Sequence, residues 1–155
     1  MAMDEFMQAA IEEARRDRDE GGIPIGSVLV LDGRIIDRGH NRRGQMSSVV
    51  LHAEMDCLAN AGRLRAADYR RSVLYSTLSP CDMCSGAILL YGIPKVVIGE
   101  NRTFRGPEDY TRSRGVEPVL AECRECRELM EASSARILNF GTRTSAFEPR
   151  SVDLR

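Results

Sequence analysis

Hydrophobic and polar positions recur with two different periods along the chain, and these periods predict its first elements. Apolar residues fall every three or four positions over residues 4–19, which predicts an amphipathic helix closed by a Gly-Gly pair. Residues 23–31 form a nearly continuous apolar run, which predicts a central strand buried on both faces. A tight Asp-Gly turn then leads into an antiparallel strand over residues 34–39.

Strands and helices alternate through the remainder of the chain. Helices are predicted at residues 52–61, 82–90, 107–114 and 122–132, and strands at residues 73–77, 95–99 and 116–120. Alternation after an initial hairpin predicts an α/β fold in three layers, α/β/α, with a central mixed five-stranded sheet. No repeat or low-complexity linker interrupts the pattern, so residues 1–155 are predicted to form a single domain.

Composition excludes several classes of protein. Hydrophobic residues make up 43% of the 155 positions and charged residues 29%, as in ordinary globular domains. No apolar run approaches the roughly 18 residues of a membrane span, and the N-terminus lacks signal-peptide features, so a cytoplasmic location is expected. The five cysteines are therefore not expected to form disulfides. The net charge of −1 argues against binding nucleic acid through bulk electrostatics.

Two short segments contain the candidate chemistry, His52-Ala-Glu54 and Pro80-Cys81-Asp-Met-Cys84. One imidazole and two thiolates supply three zinc ligands, and a catalytic zinc site keeps its fourth position for water. Glu54 is well placed for proton transfer, because a carboxylate beside the metal can take up and deliver protons. Together the segments are similar to the H-x-E…P-C-x-x-C signature of zinc nucleobase deaminases.

Each half of this pattern has an ordinary interpretation by itself. A lone C-x-x-C can be redox-active or structural, and a lone histidine is usually a packing or surface residue. Both halves stand in the order of the signature, and a helical pattern follows each. Cys81 and Cys84 also lie at a predicted helix N-terminus, where the helix dipole favours thiolate. The combination therefore predicts a catalytic zinc site.

Three other positions have competing interpretations. Asn41 either caps a turn or points its amide, a donor and an acceptor, into a site entered from the following loop. Cys57 is interpreted as a small core residue. The second C-x-x-C, Cys123 to Cys126, is predicted in the middle of a helix with Cys126 packed inward. Its gap of about forty residues from Cys84 exceeds the 15–20 typical of four-cysteine zinc sites, which argues against a metal role.

Further segments beyond the two half-motifs match one known family. They are residues 21–26, 38–41, 51–54, 62–64, 77–84, 86–88, 91–94 and 99–101 with Phe104. On these segments most of residues 20–130 resembles the fungal-type cytosine deaminases of the cytidine deaminase superfamily. The resemblance implies conversion of cytosine to uracil and ammonia, one Zn²⁺ per subunit, a cytidine deaminase-like fold, a homodimer and a part in pyrimidine salvage.

The resemblance also implies roles for individual residues. His52, Cys81 and Cys84 would hold the zinc, and Glu54 would be the proton shuttle. The substrate contacts would come from the Asn41 side chain, main-chain groups of Ala53, Leu78 and Ser79, and the pocket walls Ile25 and Phe104.

The C-terminus departs from the family. The fungal enzymes end in a helix with a Trp-Phe-Glu-Asp stretch, whereas this chain has no tryptophan. Residues 133–155 are therefore interpreted as a divergent tail or lid, in which Phe147 replaces the aromatic wall and Glu148 or Asp153 the acid. A changed lid allows other substrates, such as a 5-substituted cytosine, another aminopyrimidine, an aminotriazine or a purine base.

Two alternatives change the partner or the function. A transfer RNA adenosine deaminase shares both half-motifs but needs a basic surface that tracks phosphates. Arginines at positions 102, 105, 112 and 114 could supply a patch, yet acidic residues are interspersed, and nucleic acid is not the expected partner. The other alternative is a non-catalytic zinc protein. Glu54 argues against it, because a structural site needs no free carboxylate.

Overall fold

A mixed five-stranded sheet lies at the centre of the computed structural model, which describes residues 3–139. The elements in chain order are α1 (Glu5–Asp19), β1 (Gly26–Leu31), β2 (Arg34–His40), α2 (Ala53–Ala61), α3 (Ala66–Tyr69), β3 (Ser72–Leu78), α4 (Asp82–Tyr91), β4 (Lys95–Glu100), α5 (Glu108–Ser113), β5 (Glu117–Leu120) and α6 (Arg124–Asn139). The strand order is β2-β1-β3-β4-β5, with β1 antiparallel to both neighbours and β3, β4 and β5 parallel. None of the helices in this part of the chain has the length and apolar character needed to cross a bilayer.

Two clusters of buried apolar side chains lie on opposite faces of the sheet. One joins α1 and α6 to the sheet and includes Ile11 and Val28. The other joins α2 and α4 to the opposite face and includes Leu29, Cys57 and Ile88. Neighbouring residues of β1 contribute to different clusters because successive side chains of a strand point to opposite faces. The predicted three-layer fold is confirmed, and so is the core position of Cys57.

The initial hairpin forms as predicted, with one shifted boundary. Asp32 and Gly33 have φ values of 50° and 76°, the left-handed conformation that a two-residue type I′ turn requires. β1 begins at Gly26 rather than at residue 23, because Pro24 has no backbone N–H to donate to a strand ladder. β1 is an interior strand buried on both faces, although the middle strand of the sheet is β3.

The start of α6 differs from the prediction. Glu122 has a φ of 51°, a left-handed conformation that does not continue into a helix, so α6 begins at Arg124. The Cys123–Cys126 pair therefore lies at the helix start, and its predicted position in mid-helix was wrong. Cys126 does pack inward, in the same cluster as Leu129. The helix also continues through residues 133–139, the first part of the segment interpreted as a tail.

Close backbone packing presses α2 against the end of β2. A Cβ atom on Gly39 would clash with the backbone nitrogen of Cys57 and would lie 2.7 Å from the carbonyl oxygen of Ala53. Only glycine permits this approach, since it has no side chain to separate strand from helix. The N-terminus of α2 is thereby held at the end of the sheet at which β3 leads into α4.

We expect Gly39→Ala to destabilise the protein by about 1–3 kcal/mol, because the added methyl group must displace α2 from β2. Urea unfolding of the zinc-loaded protein measures this change in the free energy of unfolding. Gly86→Ala is the matched control, because a Cβ there meets no atom within 4 Å. It lies inside α4, where alanine is favoured over glycine by about 1 kcal/mol. Equal stability of the two variants would contradict the packing argument.

Candidate active site

Three candidate metal ligands come from the starts of two helices. His52 is the N-cap residue of α2 and Cys81 the N-cap residue of α4, with Cys84 one turn further along. His52 was predicted to lie in the first turn of this helix, but it lies just before that turn. In the part of the chain that the structure describes, these three form the only group of three or more His, Cys, Asp or Glu side chains close enough to share an ion.

Distances among the three side chains fit a zinc ion. Cys81 Sγ lies 3.4 Å from His52 Nδ1 and 3.6 Å from Cys84 Sγ. Tetrahedral zinc with Zn–S bonds of about 2.3 Å and Zn–N bonds of about 2.0–2.1 Å places its ligand atoms roughly 3.6–3.8 Å apart. A disulfide would require about 2.0 Å between the two sulfur atoms. The donor set and its spacing therefore match zinc with a fourth position left for another ligand.

The protein surroundings alone favour neutral ligands. Burial raises the pKa of the Cys84 thiol well above its ordinary value, and the neighbouring Glu54 charge raises it further. Burial also lowers the pKa of His52, so its imidazole is neutral at pH 7 and free to coordinate. A divalent cation reverses the thiol preference, because a positive charge beside sulfur stabilises the thiolate. Metal binding at this site therefore releases the proton of the Cys84 thiol.

Glu54 lies next to these ligands without being one of them. Its side chain is buried, at 4% exposure. The Ser76 hydroxyl donates to Glu54 Oε1 at 2.7 Å, and the Cys84 thiol donates to Oε2 at 3.2 Å. Ser76 anchors one carboxylate oxygen, so the other oxygen is held on the metal side. The sequence analysis did not identify Ser76. The only sign of its role in the sequence is that it is a polar residue within a predicted strand.

A cavity of about 210 Å³ adjoins these residues. Its lining residues are Ile25, Asn41, Arg43, His52, Ala53, Glu54, Leu78, Ser79, Cys81 and Phe104. Pockets for drug-sized ligands usually measure about 300–1,000 Å³, so this cavity suits a smaller molecule such as a single heteroaromatic base. The structure brings together all six of the predicted substrate-contact residues that fall within residues 3–139.

Asn41 both closes a turn and lines the cavity, so the two interpretations of its role combine. Its Oδ1 accepts from the backbone N–H of Arg43 at 3.3 Å and from Arg43 Nε at 3.0 Å. The side chain is only 1% exposed, and its Nδ2 has no hydrogen-bond partner among residues 3–139. The site therefore presents a buried, unused N–H donor. Arg43 was missed because nothing in the sequence distinguishes it from the neighbouring arginine.

A hydrogen-bonded loop places Phe104 at the cavity mouth. Ser79 Oγ donates to Glu108 Oε1 at 2.8 Å and accepts from the backbone N–H of Gly106 at 3.0 Å. The Asn101 amide donates to the same carboxylate at 3.2 Å. Phe104 lies between these anchors and is 44% exposed, so one side of its ring faces solvent and the other the cavity.

A larger, open groove of about 540 Å³ lies elsewhere, between α1, β2 and α2. Several of its charged side chains already have partners. His40 Nδ1 lies 3.2 Å from Glu13 Oε2, and Arg42 donates to Asp56 at 2.7 Å. The hydrogen bond with Glu13 raises the pKa of His40 and lowers that of Glu13. The groove contains none of the candidate metal ligands, so the smaller cavity is the candidate site.

Comparison with known proteins agrees with this geometry. The family profile described as the cytidine and deoxycytidylate deaminase zinc-binding region matches residues 2–100. The chain belongs to this deaminase family. The resemblance stated from the sequence is confirmed, and the predicted zinc cofactor agrees with both the family and the three clustered ligands.

The relatives of this chain differ from one another in their named activities. A cytosine deaminase of Candida albicans is 48% identical over 125 residues, which cover 80% of this chain and 83% of the relative. A tRNA-specific adenosine deaminase of Streptococcus pyogenes is 38% identical over 138 residues, which cover 86% of this chain and 85% of the relative. A chain solved in a study of tRNA:A34 deaminases superposes with a TM-score of 0.66 and 31% identity, covering 81% of this chain and 98% of that chain.

The three C-terminal residues predicted to close the deaminase pocket are Phe147, Glu148 and Asp153. They lie outside the residues that the structure describes, so their roles stay predictions.

We expect the wild-type deaminase to retain about one zinc per chain after dialysis, as a three-ligand site with one open position requires. Cys84→Ser should lose most of the metal, because a serine hydroxyl is a far weaker zinc ligand than a thiolate. Metal analysis by mass spectrometry gives the ratio. Cys123→Ser is the matched control, since Cys123 is also buried but is not part of the ligand cluster. Full zinc content in Cys84→Ser would refute the ligand assignment.

Proposed function

We propose that the protein hydrolyses free cytosine to uracil and ammonia. The observation that supports this best is the small cavity lined by two of the three clustered zinc ligands, a buried carboxylate and an unused amide donor. The 48% identity to a fungal cytosine deaminase supports the same substrate. In this reaction the C4–N bond of cytosine breaks, a C4–O bond forms from water, and the amino group leaves as ammonia.

The proposed metal site holds one zinc through His52 Nδ1, Cys81 Sγ and Cys84 Sγ. Bound there, zinc would lower the pKa of a coordinated water to about 7 and would so supply a nucleophile at neutral pH. Burial keeps His52 neutral, as a metal ligand must be. The helix starts that bear His52 and Cys81 also direct their positive dipole ends toward the bound thiolates.

Glu54 is the proposed proton shuttle. Its carboxylate takes one proton from the attacking water and delivers it to ring N3, and then carries the second proton of that water from the new C4 hydroxyl to the departing amino group. Ser76 holds Oε1, so Oε2 is the oxygen that exchanges protons. A general acid–base group must lie within hydrogen-bond reach of the atoms it serves, and the shared cavity lining supports that placement.

Substrate contacts are proposed from the remaining lining residues. The Asn41 amide donates to the pyrimidine, and main-chain groups of Ala53, Leu78 and Ser79 add hydrogen bonds. Ile25 and Phe104 enclose the ring faces. The C-terminal residues Phe147, Glu148 and Asp153 are proposed to complete the pocket as a lid within a single deaminase domain.

Adenosine in transfer RNA is the second candidate substrate, because a tRNA-specific adenosine deaminase aligns over 86% of this chain. Such a substrate needs a basic surface beside the pocket. Net charge is −1, and the arginines at positions 105 and 112 pair with Asp109. Charge balance therefore favours a free base. Other aminopyrimidines, aminotriazines and purine bases share the chemistry, and the last two classes are tested in the same assay.

We also propose a cytoplasmic homodimer that serves pyrimidine salvage. Exposed apolar side chains on α4 and α5 support an interface, with Leu90 at 76% and Tyr110 at 53% exposure beside one groove. Apolar side chains clustered in this way often mark protein contacts. A monomeric mass by light scattering at micromolar concentration would contradict the dimer.

Among bases and nucleic acids, we expect free cytosine to release ammonia fastest from the zinc-loaded protein. Cytidine, adenine, guanine, melamine and a transfer RNA run in parallel, with ammonia measured by a coupled assay. A cavity of about 210 Å³ suits a molecule the size of one base. Faster release from transfer RNA would transfer the assignment to the second candidate.

Glu54→Gln should retain zinc and lose at least about 10²–10⁴-fold in kcat, the usual range for removing a general acid–base group. Glutamine keeps the shape and the hydrogen bond from Ser76 but cannot take up a proton. Ammonia release and zinc content are measured on the same preparation. Glu131→Gln, on the exposed surface of α6, is the matched control. Turnover within tenfold of wild type in Glu54→Gln would refute the shuttle.

A further inference from the structure

Asn41 and Arg43 form a pair at the cavity wall, in the loop that follows β2. Both residues line the cavity. Asn41 Oδ1 accepts two hydrogen bonds from Arg43, one from the guanidinium Nε at 3.0 Å and a longer one from the backbone N–H at 3.3 Å. The other end of the amide, Nδ2, is buried without a partner among residues 3–139. An unpaired buried donor is costly, so this N–H is available to a ligand.

The arginine decides which way the amide points. A free asparagine can turn its side chain by 180° and exchange its donor for its acceptor. A guanidinium has only donors, so the amide group that faces Arg43 must be the oxygen. The nitrogen is then left for the cavity. Hydrogen bonds from a charged donor are roughly twice as strong as neutral ones, which gives the guanidinium bond the larger part in this orientation.

We propose that Arg43 is a positioning residue that locks the Asn41 amide with its N–H toward the substrate, so that the site selects ring carbonyls and rejects ring amino groups at that position. This rests on the proposed deamination of a pyrimidine at C4, for which the carbonyl is the 2-oxo group. A 2-amino group would set its N–H against the Asn41 N–H and leave two buried donors unpaired. Arg43 thereby acts on specificity through Asn41.

The predicted preference for a carbonyl group can be measured by the binding of uracil and isocytosine, without catalytic turnover. Both have an oxygen at C4 and no amino group there to remove. The group at C2 is oxo in uracil and amino in isocytosine, and isocytosine also has one ring N–H fewer, a difference that is the same for wild type and variants. Titration calorimetry on the zinc-loaded wild-type protein should show uracil binding about 10- to 100-fold more tightly. In Arg43→Ala the amide is held only by the longer backbone bond, and this preference should fall about five- to tenfold.

Three comparisons separate positioning from loss of structure. Arg43→Lys retains a positive donor without the rigid fork, so its preference should lie between wild type and Arg43→Ala. Arg63→Ala removes an exposed arginine outside the cavity and should leave the preference unchanged. With cytosine, Arg43→Ala should raise KM about five- to tenfold with kcat changed less than threefold, because a binding contact is weakened.

The outcomes distinguish this proposal from the proposed function. A preference in Arg43→Ala within twofold of wild type, or wild-type protein that does not discriminate between the two ligands, would overturn the role of Arg43. Discrimination by the wild type without any cytosine turnover would overturn the proposed reaction and leave the positioning role standing. Wild-type protein that binds neither ligand would overturn the positioning role, and it would overturn the proposed reaction as well only if cytosine is not turned over.

Discussion

The approach of two helix N-termini is the constraint on which the rest of this structure depends. His52 and Cys81, the N-cap residues of α2 and α4, bring their ligand atoms to 3.4 Å. Zinc tolerates little change in that spacing, because its bond lengths vary by only tenths of an ångström. The backbone contact of α2 at Gly39 and the short connection from β3 into α4 maintain it. Sheet packing therefore sets the metal geometry.

Buried ionic contacts extend this constraint to the substrate side. Asp56 of α2 accepts two hydrogen bonds from Arg42, at 2.9 and 2.7 Å, and one from the backbone N–H of His40 at 3.1 Å. These contacts bind Asp56 to His40 and Arg42, the two residues that flank Asn41. Because Asp56 and Glu54 belong to the same helix, the amide that faces the cavity and the carboxylate beside the metal form one rigid unit. Buried and fully paired polar networks of this kind hold a unique geometry.

The metal-ligand cluster and part of the cavity wall come from different parts of the fold. The metal ligands and Glu54 lie at helix starts, which the sheet holds in place. Three residues of the cavity lining, Asn41, Arg43 and Phe104, lie in loops instead. Loops on a rigid scaffold tolerate change more readily than packed elements do. This division accounts for a family whose members include a cytosine deaminase and tRNA-specific adenosine deaminases on one scaffold.

The sequence by itself determined the elements and the zinc chemistry, because both depend on local spacing. Apolar periodicity located most of the helices and strands, whereas the single turn of α3 was too short to show it. The H-x-E and P-C-x-x-C spacings identified His52, Glu54, Cys81 and Cys84 for the same local reason.

Tertiary structure alone decided how these groups are held. Ser76 lies 22 residues from Glu54, and Glu108 lies 29 residues from Ser79, so no local pattern reports their hydrogen bonds. Arg43 is only two residues from Asn41, but the sequence does not distinguish it from the neighbouring Arg42. Only the fold shows that Arg43 is the arginine bonded to the buried Asn41 amide. Burial is a property of the assembled chain, and burial is what makes a free N–H selective.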